Sequence, residues 1–369
     1  MRILTLSYEF PPIGGGGAKV VDGLARHLNG HEVDIVTMGF QDLPGTETVD
    51  GINIHRLPSG RKRADICHTH EMLPYLVSAF PKVKQLLAER KYDINHTHFI
   101  FPDGVLAWML HRSTGLHYVI TAHGSDVPGY NPNRFQFQHT LLATLWKRVV
   151  ENAECVICPS AHLQGLLQKH SRTVRSAIIP NGMFADKFNP QREKRMRVLV
   201  VSRMFERKGV QYLLESLKDR TLNCEINIVG DGPYLDTLKR MAADTRTDIR
   251  FWGWLDNNSD ELRKLYETSS IFVFTSKQEN FPVNLLEAMT AGMAIITSED
   301  GGSREVVGDT ALQVKADQPE QFYATLQRLV QAPVQCEVLG KRARQRLESH
   351  FTWPTIAGKY QSLFDKVLG

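Results

Sequence analysis

The sequence predicts an α/β fold with two domains, each built on a parallel sheet. Short apolar runs rich in β-branched residues alternate with longer stretches of helical spacing, the pattern of parallel strands joined by crossover helices. These runs fall into two series, separated by a stretch of turn formers and charge. A chain of 369 residues is also too long for one ordinary core and suits two domains of about 150 to 200 residues each.

The first series reads RILTLSY (2–8), EVDIVTM (32–38), INIHRL (52–57), INHTHF (94–99), HYVITAH (117–123), CVICPS (155–160) and SAIIPN (176–181). PNGMFADKFNPQREKRM follows, with Pro180, Gly182 and Pro190 and then a burst of charge from Arg192 to Arg197. Turn formers and charges without helical period mark a linker, so the domain junction is expected near residues 184–196. The second series is RVLVVSR (197–203), EINIVGD (225–231), IRFWG (249–253), IFVFTS (271–276), AIITS (294–298) and ALQVK (311–315). A last helix, from about Pro354 to Leu368, has no strand after it, and local pattern leaves open which domain it packs on.

Composition narrows the function classes. Apolar residues make up 42% and charged residues 23%, which is ordinary globular usage and excludes a disordered, collagenous or disulfide-framework chain. Residues 1–183 carry 18 Lys/Arg against 15 Asp/Glu and the remainder 26 against 25, so there is no nucleic-acid footprint. Two local basic groups, Arg61-Lys62-Arg63 and Lys82, Lys84, Arg90 and Lys91, read as solvated faces or as contacts to anionic lipid. MRILTLSYEFPP reads as a first strand rather than a signal segment, and no apolar run reaches the length that spans a bilayer. Five irregularly placed cysteines suggest a reducing compartment. Cys155 and Cys158 form a CxxC inside a strand-like run with no second pair, and are expected to be buried strand residues rather than zinc ligands.

Several strand ends carry chemistry. Gly14 to Gly17 lead from the first strand into a helix, where glycines let the backbone approach a ligand and free N–H groups face an anion. A mobile loop without a ligand is the alternative. The dinucleotide spacing GxGxxG is matched only by overlap within the glycine run. Arg203 and Lys208 flank a short loop after a second-series strand, the place where ligands bind in open α/β sheets, and a diphosphate suits such cations. Two solvated loop cations are the bland reading. IVGDGP (228–233) is a strand and glycine turn, and FWGWLDN (251–257) could hold a base through its backbone, with Phe251 and Trp252 as packing residues. His123 in TAHGSD follows a strand, where it serves a substrate hydroxyl or the structure. His96 and His98 share one side of a strand, but no third metal ligand accompanies them.

KQENFPVNLLEAMTAG (277–292) places Glu279 in the loop after IFVFTS, Pro282 in the first helical turn and Glu287 inside the helix. Glu279 thus lies near a helix N-terminus, which favours a negative ligand nearby. An ionised Glu287 among Leu285, Leu286, Ala288 and Met289 needs polar partners, which ligand hydroxyls would supply.

Taken in order, GGGGAK (14–19), FPDG (101–104), TAHGSD, IPNGMFADKF (179–188), VSRMFERKG (201–209), IVGDGP, FWGWL, ENFPVNLLEAM (279–289) and GGSREVVG (301–308) resemble the retaining glycosyltransferases of family 4. The resemblance spans essentially the whole chain. It implies the GT-B fold, two Rossmann-like domains with parallel sheets facing across a cleft. Residues 1–184 would bind the acceptor and residues 185–353 the nucleotide sugar, with the helix over 354–369 packing back on the first domain. By resemblance Glu287 holds the ribose hydroxyls and Glu279 the hydroxyls of the transferred sugar. Arg203 and Lys208 clamp the diphosphate, and Gly15, Gly16 and the stretch Asn280, Phe281, Pro282 and Val283 close on the donor. Leu255 contacts the base through its backbone, and His123 lies near donor sugar and acceptor. His123, Arg203, Lys208 and Glu279 are then the catalytic set.

The same resemblance implies metal-independent transfer from a UDP-, GDP- or ADP-sugar to a glycan, a lipid-linked acceptor or a small molecule. No nucleic acid takes part, and peripheral membrane contact stays open for a cytoplasmic chain at the inner face of a membrane. A GT-B sugar-nucleotide epimerase and a non-catalytic nucleotide-sugar-binding regulator are the alternatives. Two departures from the family pattern stand out: ENFPV replaces the commoner EGFG, and GMAII (292–296) lacks the usual proline before the next strand.

Overall fold

The computed structural model describes residues 1–130, 142–277, 279–299, 301–315 and 317–369. Gln278, the residue before Glu279, lies outside the described residues. The chain divides into two compact units, Met1–Gly182 with Trp353–Gly369, and Met183–Thr352.

In the first unit the strands are β1 (Arg2–Leu6), β2 (Glu32–Met38), β3 (Thr46–Val49), β4 (Ile52–Leu57), β5 (Ile94–His98), β6 (Tyr118–Thr121), β7 (Cys155–Cys158) and β8 (Ser176–Ile178). They form one sheet in the order β3-β4-β2-β1-β5-β6-β7-β8. Both faces are covered, as parallel sheets require. Leu4, Leu6 and Val36 face the helices Thr69–Glu89, Asp103–Thr114 and Ala143–Asn152, whereas Ile3, Val33, Ile35 and Ile94 face Gly16–Ala25 and the terminal helix Trp353–Leu368. The period-2 alternation of strand side chains makes this division.

One strand departs from the parallel expectation. β3 pairs antiparallel with β4, Val49 opposite Ile52, through Asp50 at φ 52° and Gly51 at φ 80°. Two left-handed residues in succession make the hairpin turn that Asp-Gly favours, so the dipeptide was the readable signal. Cys155 and Cys158 sit at opposite ends of β7 and in opposite core clusters, an arrangement that cannot chelate. Burial pushes the Cys155 thiol up to about 11. Arg61 is not a solvated cation. Its side chain is fully buried against Glu9, and it donates to the carbonyls of Arg63 at 2.8 Å and Ala64 at 3.0 Å.

The terminal helix is seated by two glycines. A Cβ on Gly23 would lie 2.2 Å from the Trp353 ring, and one on Gly182 2.3 Å, so the indole occupies space that any side chain would fill. Further along, Tyr360 Oη lies 3.1 Å from Thr121 Oγ1 at the end of β6, and Phe364 is buried.

Among the described residues the second unit has six strands, β9 (Arg195–Val201), β10 (Glu225–Val229), β11 (Ile249–Gly253), β12 (Ser269–Phe274), β13 (Ala294–Ser298) and β14 (Leu312–Val314). Their order is β11-β10-β9-β12-β13-β14, all parallel. Helices Val210–Ser216, Leu235–Ala242 and Pro319–Val330 cover one face, and Asp260–Thr268, Val283–Thr290 and Pro333–His350 the other. In each sheet the strand order reverses at its first strand, between β1 and β5 and between β9 and β12. Crossovers leave to opposite sides there, so the loops part and open a crevice at the carboxyl edge.

Trp353→Ala is expected to cost about 3 to 5 kcal/mol, the scale of deleting a buried indole. The measurement is the urea midpoint of the transition that includes the first unit, and a loss below about 1 kcal/mol would contradict this seating.

Candidate functional site

The reversal in the second unit gathers most of the residues singled out from sequence. The loop after β9 carries Arg203, ends in a single helical turn, Glu206–Lys208, and passes through Gly209. Gly209 has φ 72°, and a Cβ there would lie 2.4 Å from the Thr275 carbonyl oxygen. Thr275 Oγ1 in turn donates to the Lys208 carbonyl at 3.2 Å. The backbone of Lys208 is thereby stapled to the end of β12. Lys208 Nζ forms a hydrogen-bonded ion pair with Glu279 Oε1, the two side chains being 13% and 12% exposed. Burial, then the neighbouring Arg207 and Arg203 charges, lower the Lys208 ammonium from its ordinary value, and Glu279 opposes them. Arg203 is exposed, its guanidinium 5.7 Å from the centre of the Phe205 ring.

The stretch Asn280 to Pro282 is buried and leads into the helix. That helix begins at Val283, with Pro282 as its extended N-cap at φ −70° and ψ 118°, one residue later than the sequence suggests. Proline has no N–H to lose in that position. Two glycines fix the loop from outside. Gly302 N donates to the Glu279 carbonyl at 2.9 Å, and a Cβ on Gly302 would lie 1.5 Å from the Asn280 carbonyl oxygen. Asn284 Nδ2 donates to the Val201 carbonyl at 2.6 Å, tying the helix start to the end of β9. IVGDGP serves a similar purpose: Cβ atoms on Gly230 and Gly232 would lie 1.8 Å from Ser202 O and 2.5 Å from Met204 O. Its glycines allow one loop to stack on the Arg203 loop. Leu255 is half-buried against the cluster that includes Phe281 and Leu285. Phe251 and Trp252 also pack against apolar cores.

Glu287 differs from the expectation that ligand hydroxyls supply its polar partners. Its side chain is 6% exposed and paired with Lys187, while Tyr266 Oη donates to Oε2 at 3.0 Å. Burial, and then Glu287 itself, hold the Tyr266 phenol protonated and so a donor. Lys187 comes from IPNGMFADKF and lies over the ring of Phe188, which stacks on Tyr266 at 4.6 Å. These contacts fix the direction of the carboxylate.

In the first unit, Gly15 and Gly16 are exposed at the N-terminus of Gly16–Ala25, which has no side-chain cap. Gly14 N donates to the Ala64 carbonyl at 2.7 Å, and Gly15 N lies 3.4 Å from Glu9 Oε2. His123 follows β6. Its Nε2 shares a hydrogen with His98 Nδ1 at 3.1 Å, and its ring packs on Phe99, 4.3 Å between centroids. A Cβ on Gly17 would approach Phe99 Cζ to 2.6 Å and His123 Nδ1 to 3.5 Å, so the glycine run meets the histidine side by side. Burial pushes His123 down to about 3, which leaves it a neutral hydrogen-bonding ring near pH 7. His96 points the same way as His98 but hydrogen-bonds Thr121 Oγ1 at 2.8 Å. Among the described residues, no three His, Cys, Asp or Glu side chains group as a metal site.

Four contributors were missed in sequence: Asp126, Phe99, Lys187 and Tyr266. Asp126 accepts from His123 N, Gly124 N and Ile100 N at 2.8 to 3.0 Å, fixing the turns after β5 and β6 together. Phe99 holds φ 72° and Lys187 and Tyr266 act across distant chain segments, for which local sequence has no marker.

Comparison with known proteins gives one consistent result. A family model described as Glycosyl transferases group 1 matches residues 184–346, and one described as Glycosyltransferase Family 4 matches residues 14–187. An uncharacterized glycosyltransferase of Methanocaldococcus jannaschii is 26% identical over 97% of this chain and 96% of its own. The gpi3 subunit of the Schizosaccharomyces pombe phosphatidylinositol N-acetylglucosaminyltransferase is 21% identical over 98% of this chain and 79% of its own. Sucrose-phosphate synthase from Thermosynechococcus elongatus has a similar structure, with a TM-score of 0.83 at 22% identity, covering 100% of this chain and 99% of that one.

Lys187→Met is expected to cost about 3 to 5 kcal/mol, since it strands a buried carboxylate, and Tyr266→Phe about 1.5 to 3 kcal/mol for one hydrogen bond to a charged group. Urea unfolding of each variant checks the order. Equal losses would mean that the ion pair is not the main anchor of Glu287.

Proposed function

The chain belongs to the family 4 glycosyltransferases of the GT-B fold, enzymes with nucleotide-sugar donors, and we propose that it transfers its sugar with retention and without a metal. The observation that carries this reading is the cationic pair Arg203 and Lys208 at the carboxyl edge of the β9/β12 reversal. Breaking the bond from the anomeric carbon to phosphate sends an electron pair to the departing diphosphate through an oxocarbenium-like state. Fixed cations stabilise that charge more in the transition state than in the ground state, the work a metal ion would otherwise do. The acceptor oxygen forms its bond on the face the phosphate leaves, and its proton passes to a departing phosphate oxygen.

The remaining roles follow the same reading. Glu287, oriented by Lys187 and Tyr266, accepts from the ribose hydroxyls, and Glu279 accepts from hydroxyls of the transferred sugar. Leu255 meets the base through its backbone, and Asn280, Phe281, Pro282 and Val283 line the donor. Gly15 and Gly16 contribute to donor binding from a helix N-terminus without a side-chain cap. Neutral His123 hydrogen-bonds a hydroxyl of donor sugar or acceptor. The base is that of UDP, GDP or ADP, and the acceptor is a glycan, a lipid-linked molecule or a small molecule.

Peripheral membrane contact at a cytoplasmic face is proposed on one surface of the first unit. On the helix Thr69–Glu89, Leu73 is 65% and Val77 68% exposed, and Lys84 follows on the same ridge. Glu71, the one acid between Thr69 and Ala88, is buried, accepting from Lys62 N and His68 N. An apolar ridge ending in a cation, on a helix whose one exposed acid is the terminal Glu89, suits an anionic lipid surface. No described helix is long and apolar enough to cross a membrane.

Two experiments test these readings. Release of UDP, GDP or ADP from the matching glucose donors, with and without glycan and lipid acceptors, identifies transfer, and Arg203→Ala or Lys208→Ala should slow it about a hundredfold. A well-folded double variant with near-normal turnover would overturn the assignment. Donor conversion without acceptor would instead mean an epimerase, and binding without turnover a regulator. In flotation with phosphatidylglycerol vesicles, Leu73→Glu with Val77→Glu should lower the bound fraction at least about fivefold. Wild-type binding no stronger than to phosphatidylcholine vesicles would exclude the membrane face.

A further inference from the structure

The ion pair between Lys208 and Glu279 has a consequence beyond holding two loops together. Neither residue can retreat by a backbone shift. Lys208 is stapled to β12 through Gly209 and Thr275, and the Glu279 backbone is clasped by Gly301 and Gly302, whose Cβ atoms would lie within 3.2 and 3.0 Å of its carbonyl oxygen. The side chains are about seven-eighths buried, so their charges interact at low effective dielectric. Stranding one of them is costly.

We propose that this pair is a latch that makes the donor site select a nucleotide sugar over the bare nucleoside diphosphate. The proposal rests on the donor reading above. A diphosphate that binds Lys208 competes for its ammonium with the buried Glu279 carboxylate and brings added negative charge beside it. A bare diphosphate offers that carboxylate nothing in return. A nucleotide sugar brings hydroxyl groups that donate to it, so the anion exchanges one partner for another as the cation does. Glu279 therefore acts as a repulsive element against one ligand and an acceptor for the other, the two halves of specificity. After transfer the sugar hydroxyls leave with the acceptor, Glu279 regains its need for Lys208, and the product diphosphate is expelled.

Calorimetric titration of the full chain with UDP, GDP and ADP, each beside its glucose conjugate, tests the latch. Glu279→Gln keeps size and removes the competing charge. It should tighten the preferred diphosphate about tenfold, the scale of relieving one like-charge contact, while leaving the sugar conjugate no tighter. The ratio of the two affinities then shifts about tenfold toward the bare diphosphate. Glu279→Ala provides the same direction if the amide misfolds, and Lys208→Met should weaken both ligands together. An unchanged ratio in a folded Glu279 variant, with wild-type chain binding both ligands, would overturn the latch alone. Wild-type chain that binds none of the six ligands would overturn the donor reading and the latch with it.

Discussion

The reversal of strand order at the first strand of each sheet is the constraint on which the rest depends. All described strands except β3 run parallel within their sheets, so their carboxyl ends lie on one edge. Chain leaving β9 goes to one side and chain leaving β12 to the other, which prevents either loop from covering the gap between them. Lys208 and Glu279, separated by 70 residues of sequence, meet there because topology brings those two strand ends side by side. In the first unit the β1/β5 reversal does the same for the glycine run, Phe99 and His123. A different strand order with identical loops would scatter these residues.

Close backbone approach makes the arrangement rigid. Gly230, Gly232, Gly301 and Gly302 are best explained by packing, since each lets one loop press against the carbonyls of another. Much of what reads as ligand-binding glycine in the second unit is thus scaffolding for the charged residues nearby. Preorganisation of this kind is what electrostatic stabilisation needs, because a charge that must be assembled during the reaction loses part of its effect to reorganisation.

Buried polar groups are largely satisfied by the chain itself. Asp126 accepts three backbone N–H groups, Glu71 caps a helix, and Glu287 rests between Lys187 and Tyr266. A carboxylate held this way has a fixed direction before any ligand arrives. Lys208 and Glu279 differ in kind, because each answers the other with the charge that a ligand would also answer. The site therefore combines an acid oriented by fixed partners, Glu287, with a pair whose two members answer each other.

Sequence alone determined the alternation of strand and helix, the two series, the turn from loop to helix at Pro282 and the chemical character of each strand end. These are local properties, set by periodicity and by the backbone preferences of glycine and proline. The Asp-Gly hairpin of β3 was equally local, and readable. Partners were a different matter. That Arg61 would be buried, that Cys155 and Cys158 would face opposite cores, and that Glu287 would find Lys187 and Tyr266 all depend on which segments pack together. The same holds for Glu279, whose position in a loop followed from sequence but whose hold on Lys208 did not. Only tertiary structure decided it, because a charge chooses its partner by distance and burial, and both are fixed by strand order rather than by neighbours in the chain.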